Sequence, residues 1–513
     1  MKKIIGAITA AICALCTISI QSPISDISVS ALSWSDELSY GNYLKYQKID
    51  IDEDGTYDYI EIRDCDESAT EIEIPGEIEG LKGTVISGFA FRSCDNLTSV
   101  KIPDTVTSIS SGTFYGTKLL QNQTGVKYVD KWAVECDEDV TNVEIKEGTR
   151  GIADGLFSYC ESLTSINIPD SVKIIGYGAF KNCTSLTSIS IPDSVTEIDE
   201  FTFDGCTNLT SVDIPNSVTS IGSRAFKSCT NLKSITIPNS ATDIGFMAFY
   251  DSGLIENQDG VEYVGEWLVG CDENVKNVEI KAGTKGIAED VFYRHENLTK
   301  ITMPNDLKII GGGAFASCSN LENVIISDSV TEIRYNTFIS CESLKNVTIP
   351  NSVTKIGYKA FAGCKNLTSI DIPDSVTSID DYAFMGCTNL ESITIENPEC
   401  VIYDKKSTIS NICDFANDKI SFDGTIYGYE NSTAQAYAEK YGYKFEALEP
   451  ENEIVPGDIT GNGKIDLYDA IDICKYIMGM KTFTEEEMKI ADFDGNGKVD
   501  LYDVIGIAKT LLG

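Results

Sequence analysis

Oxygen-bearing side chains recur at alternate positions near the carboxyl end of the chain: Asp458, Thr460, Asn462 and Asp466, then Asp469 eleven residues after the first. The set returns 34 residues later as Asp492, Asp494, Asn496, Asp500 and Asp503. Of the 22 residues in 458–479, 13 recur identically in 492–513. Alternate residues of a tight loop converge on one centre, so their oxygens can surround a hard cation such as Ca2+. Gly463 and Gly497 stand where such a loop turns sharply, and the Lys464 and Lys498 carbonyls fill the slot that ligates through the backbone. The duplication predicts two calcium ions. Thr460 stands where the second loop has Asp494, so the first loop carries less charge and should hold its ion more weakly.

The last ligand of each loop is Asp where an ordinary EF-hand prefers Glu, and each loop is expected to be followed by a helix with none before it. With these features, residues 457–513 resemble a type I dockerin, the module that plugs secreted proteins into cohesins of a cellulosome scaffoldin. The resemblance implies a small α-helical domain of two EF-hand-like loop-helix units that folds with calcium. It also implies a cohesin contact at the start of each unit, through Leu467, Tyr468 and Lys475 in one copy and Leu501, Tyr502 and Lys509 in the other. A Leu-Tyr pair duplicated with its Lys suits a two-fold symmetric recognition surface.

The remainder of the chain must carry this module and whatever it delivers. The first residues, MKKIIGAITAAICALCTISI, place two lysines before an apolar run, and Val29-Ser30-Ala31 fits signal peptidase. Residues 1–31 are therefore expected to be a secretory signal, and no later apolar run is long enough to span a membrane. A net charge of −39 excludes the basic footprint of nucleic-acid binding and suits a soluble extracellular protein.

Residues 86–395 repeat one sentence, L-T-S-I-x-I-P-D-S-V-T-x-I-G-x-x-A-F-x-x-C-T-N. Phe157, Phe180, Phe203, Phe226 and Phe249 are 23 residues apart, as are Phe292, Phe315, Phe338, Phe361 and Phe384. Two spacings of 43, Phe114–Phe157 and Phe249–Phe292, each insert a 20-residue coil. The two long units match at 135 residues, Tyr128 with Tyr263, Trp132 with Trp267 and Cys136 with Cys271. No single unit can bury its apolar edge, so the fold class is mostly β, a solenoid of about 14 stacked coils at ~4.8 Å each. The pattern resembles the BspA-like leucine-rich repeats of secreted bacterial surface and adhesion proteins. Residues 32–85 are expected to form a β-hairpin cap, 396–446 a C-terminal cap, and 447–456 a linker. Within the first cap, Asp50, Asp52, Asp54, Gly55, Asp58 and Glu61 spell a second calcium-loop pattern, but the flanking residues alternate like strands and predict a hairpin.

Nine cysteines, from Cys94 to Cys387, occupy one repeat position that other repeats fill with Thr117, Ser252 and His295. That interchange marks a small, half-polar packing site and predicts free thiols. His295 is the only histidine, and no H-E-x-x-H or phosphate-cradling glycine loop occurs. A non-catalytic binding or adhesion protein follows, with an unidentified protein ligand first and a glycan second. The alternative is a cellulosomal hydrolase, glycosidase or peptidase, of unrecognised type. The outward strand residues (Lys101, Asn167, Ser190, Asp213 and their successors) form no aromatic row for sugars to stack on.

Overall fold

The structure is a computed structural model and describes residues 33–35, 37–41, 43–50, 57–414, 419–448, 456–459, 465 and 467–512. The expected signal segment, most of the linker, and Asp52, Asp54 and Gly55 lie outside the described residues.

The architecture is mostly β, a solenoid of about 17 turns with helices near the carboxyl end. One ladder holds the short strands of successive repeats: Ser188–Ser190, Ser211–Asp213 and Ser234–Ile235 pair in parallel at a register of one repeat. A second parallel ladder runs through Glu197–Ile198, Ser220–Ile221 and Asp243–Ile244. Pro192 cannot donate to a ladder and ends the first strand; its carbonyl accepts the Val195 N–H in the turn between ladders. Val195, Ile198 and Phe203 then point into the core and are essentially inaccessible.

The repeated phenylalanines stack face to face along the axis. Neighbouring rings lie 5.3 Å apart for Phe203 and Phe226, and 5.5 Å for Phe226 and Phe249, nearly parallel in both pairs. The coil spacing places one ring on the next, so each is buried by its neighbours rather than by its own repeat.

Each long unit adds an antiparallel hairpin to this plan: Val126–Val129 with Trp132–Cys136, and Val261–Val264 with Trp267–Cys271. Trp132 and Trp267 are buried in it. Their rings lie against Gly151 and Gly286, where any Cβ would collide with the indole, so glycine is required at both positions.

The stack exceeds the expected 14 coils because the flanking segments join its ladders. Leu44–Asp50 and Tyr59–Cys65 form the expected antiparallel hairpin, and the second of these strands pairs in parallel with Thr84–Ile86. At the far end Thr425–Gly428 and Lys444–Ala447 continue the ladder from Ser392–Ile395. An open ladder edge leaves unpaired N–H and C=O groups, which explains why non-repeat sequence is recruited to it. Helix α1, Thr433–Tyr441, is capped at both ends: Ser432 Oγ accepts the Gln435 N–H at 3.2 Å, and Gly442 ends the helix at φ 74°. Its Tyr437 hydroxyl donates to the Lys405 carbonyl at 2.7 Å and ties the helix to the last coils.

Near the carboxyl end lie α2, Leu467–Ile477; α3, Glu485–Ala491; and α4, Leu501–Leu512. The presence of α3 corrects the expectation that no helix precedes either loop. It begins with a complete capping box, Thr484 Oγ1 accepting the Glu487 N–H and Glu487 the Thr484 N–H, and it ends directly at Asp492.

Candidate metal centre and docking face

In the second loop the chain folds round its own carboxylates. Asp503 is fully buried and accepts the N–H groups of Asp494 at 3.1 Å and Asp500 at 2.8 Å. Asp492 accepts from Asn496 at 3.0 Å and from Gly497 at 2.7 Å. Gly497 has φ 82°, the left-handed conformation the sharp turn needs. Among the described residues, carboxylate oxygens of Asp492, Asp494 and Asp503 all lie within 4.8 Å of one another. Oxygens on opposite sides of a Ca2+ at its usual ~2.3–2.6 Å bond length are ~5 Å apart, so this hard, all-oxygen trio fits calcium.

The other predicted ligands fall differently. Asp500 lies outside the trio, and its Oδ1 accepts the Tyr502 N–H at 2.8 Å as a helix cap for α4. Asn496 Oδ1 accepts the Lys498 N–H at 3.0 Å. In the first loop Asp458 and Asp469 are buried. Thr460, Asn462, Lys464 and Asp466 lie outside the described residues.

The apolar core of this region is small: Ile459, Ala470, Ile473, Ala491 and Ile507, with Phe493 packed against it. Gly506 makes room for the Phe493 ring. At the start of α2 and α4 the predicted pairs face solvent, Leu467 65 %, Tyr468 70 %, Leu501 59 % and Tyr502 69 % exposed. Sequence reasoning missed Ile471 and Ile505, which are exposed one turn further along each helix and extend both faces.

The two faces are not equivalent. Lys475 Nζ bonds Asp472 at 2.7 Å, and Lys481 holds the other oxygen of that carboxylate at 2.8 Å. These contacts, Lys475 first, keep the Asp472 carboxyl below its ordinary range. The position matching Asp472 in the second copy is Gly506, and among the described residues no carboxylate pairs with Lys509.

The solenoid shows why its cysteine position accepts several residues. Cys206, Cys229, Cys318 and Cys341 each donate a thiol hydrogen to the phenylalanine carbonyl of the preceding coil at 3.0–3.1 Å. Thr117 turns its hydroxyl to Phe114 O at 2.9 Å, and His295 Nε2 lies 3.0 Å from Cys271 O. Burial pushes the Cys229 and Cys318 thiols up to about 12. The fifteen described cysteines are free. In the outward strand row the structure adds Ile325, 72 % exposed beside Thr348.

A parallel solenoid with stacked phenylalanines, followed by a small helical region whose carboxylates converge at Asp492, Asp494 and Asp503, defines a repeat protein with a C-terminal module. The chain belongs to the BspA type leucine rich repeat family, which matches residues 63–162, 127–256, 269–391 and 314–422, and a dockerin type I domain matches 456–512. Type I dockerins bind calcium and imply a cohesin partner. No enzyme family matches. No curated protein matches the chain.

Among solved structures, a leucine-rich repeat protein from Bacteroides ovatus is 24 % identical, with 80 % of this chain and 100 % of that one covered at a TM-score of 0.30. A leucine rich cell surface protein from Faecalibacterium prausnitzii is 26 % identical, with 74 % and 99 % covered at 0.26. The pneumococcal vaccine antigen PcpA is 17 % identical, with 81 % and 99 % covered at 0.33. No helix among the described residues is long and apolar enough to cross a membrane.

Proposed function

We propose that the chain is a secreted, non-catalytic recognition protein, held on a cellulosome scaffoldin through calcium-dependent docking to a cohesin. The signal segment 1–31 directs export, two calcium ions order 457–513, and the solenoid presents a surface for a protein ligand. Its link to polysaccharide degradation is through the complex that carries it. The observation that carries this reading is the pair of solvent-facing Leu-Tyr dipeptides, each at the start of a helix that follows a carboxylate loop. Large apolar side chains held in water at matching positions are explained by a partner that covers them.

The test is cohesin binding by calorimetry with Ca2+ and with EGTA. Binding should require calcium. Leu467→Ala with Tyr468→Ala should leave much of the affinity, as should Leu501→Ala with Tyr502→Ala. All four together should cost several kcal/mol, since buried anchors typically carry ~2 kcal/mol or more each. Loss of binding from either pair alone would show that one face dominates.

A further inference from the structure

A cavity of about 650 Å3 opens beside the second long coil, within the size range of small-ligand pockets. Phe246, Tyr250 and Tyr293, with Tyr250 51 % exposed, share its lining with Glu262, Asp272, Asp290 and His295. Arg294 also borders it and lies 5.3 Å from the centre of the Tyr293 ring.

The first long coil, 135 residues earlier, shows what this place holds when the chain fills it itself. There Lys127 faces Glu135 across the hairpin, its ammonium 2.7 Å from Glu135 and 3.3 Å from Asp137. In the second coil Glu262 replaces Lys127, Gly270 replaces Glu135, and Asp272 keeps the place of Asp137. The exchange removes the cation, removes one side chain, and leaves two carboxylates on the same hairpin face. The Glu262 carboxylate lies over Gly270, in space that a side chain there would occupy. Among the described residues no lysine or arginine pairs with Glu262. Burial and then the Asp272 charge raise the Glu262 carboxyl above its ordinary value, as expected of a carboxylate whose counterion has been taken away.

We propose that this cavity receives a lysine side chain of a partner protein, its ammonium between Glu262 and Asp272 and its methylenes against Tyr250 and Tyr293. Carboxylates supply the charge-assisted bonds and aromatic faces attract the cation. The inference rests on the solenoid being a protein-recognition surface and names the chemistry that surface reads.

The experiment titrates the full chain with Ac-Ala-Ala-Lys-Ala-Ala-NH2 and its glutamine and ε-acetyl-lysine counterparts, at about 0.15 M salt to suppress non-specific attraction. The lysine peptide should bind at least ~10-fold tighter than either control, a difference of about 1.4 kcal/mol. Glu262→Lys with Gly270→Glu restores the first coil's ion pair, an arrangement this fold already accommodates, and should abolish the preference. Glu144→Gln, on the distant strand face, should leave it unchanged. Equal binding of the three peptides, or an undiminished preference in the double variant, overturns the proposal. So does displacement of the lysine peptide by cello-oligosaccharides, which would make the cavity a glycan site. A protein ligand captured equally by the double variant overturns this cavity while leaving the solenoid's recognition role standing.

Discussion

Cys229 in the solenoid and Asp503 in the C-terminal module are both buried polar side chains, and they are satisfied in different ways. The thiol is neutral, donates one bond to the coil before it, and sits in a ladder of identical thiols. The carboxylate collects N–H bonds from its own loop and shares that loop with Asp492 and Asp494. The solenoid satisfies its interior by repetition, since every coil supplies what the next one lacks. The C-terminal module concentrates like charge around a core of a few side chains, and only a cation makes that arrangement favourable. Stability of the first is therefore spread along the chain, whereas that of the second depends on solution conditions.

Calcium removal separates the two regions most sharply. With EGTA, residues 450–513 should lose their helical circular dichroism and regain it in excess calcium, while the solenoid signal of the whole chain stays unchanged. Identical spectra of the isolated segment in both conditions would remove the calcium assignment.

A cavity in the phenylalanine stack should do the reverse. Phe226 is fully buried between Phe203 and Phe249, so Phe226→Ala should cost ~3–5 kcal/mol in urea unfolding of the solenoid. Calcium affinity should not move. A loss below ~1 kcal/mol would mean the stack relaxes freely and the rings are not mutually dependent.

Mild acid should stabilise the solenoid. Burial raises the carboxyls of Asp154, Glu200 and Asp290 to about 7, against ~4 in an unfolded chain. The folded state thus holds these protons more tightly. Their contribution is fully present below ~4 and is lost as pH rises through about 7. The solenoid should melt higher at pH 5 than at pH 8 by calorimetry. A solenoid melting higher at pH 8 contradicts the burial of these carboxyls.

The smallest effect belongs to the thiol ladder. Cys229→Ser keeps a donor facing Phe203 O and should cost about 1 kcal/mol. An alkylating reagent should label the repeat cysteines in denaturant without reductant. Labelling that needs reductant would show disulfides and remove the free-thiol reading.

The repeat was legible because each coil imposes the same demands on the same positions, so Phe180 and Phe226 report one environment by their spacing alone. The convergence of Asp492, Asp494 and Asp503 was legible for a related reason, since alternate residues of a tight loop turn their side chains to one centre. Helix α3 was signalled by Thr484 and Glu487, a capping box that the duplicated loops overshadowed. The ladder's extension into 425–428 and 444–447 had no such signal, because an end strand must fit only one neighbour and is free to depart from the consensus.

The sequence by itself determined the coil period, the inward residues, the duplicated carboxylate pattern and the Leu-Tyr dipeptides, all properties of local spacing and residue type. Only the tertiary structure decided which carboxylates converge, that Lys481 folds back to share Asp472, and that a cavity opens over Gly270. Those outcomes depend on which side chains from distant coils and helices share a space, and spacing along a chain does not encode that directly.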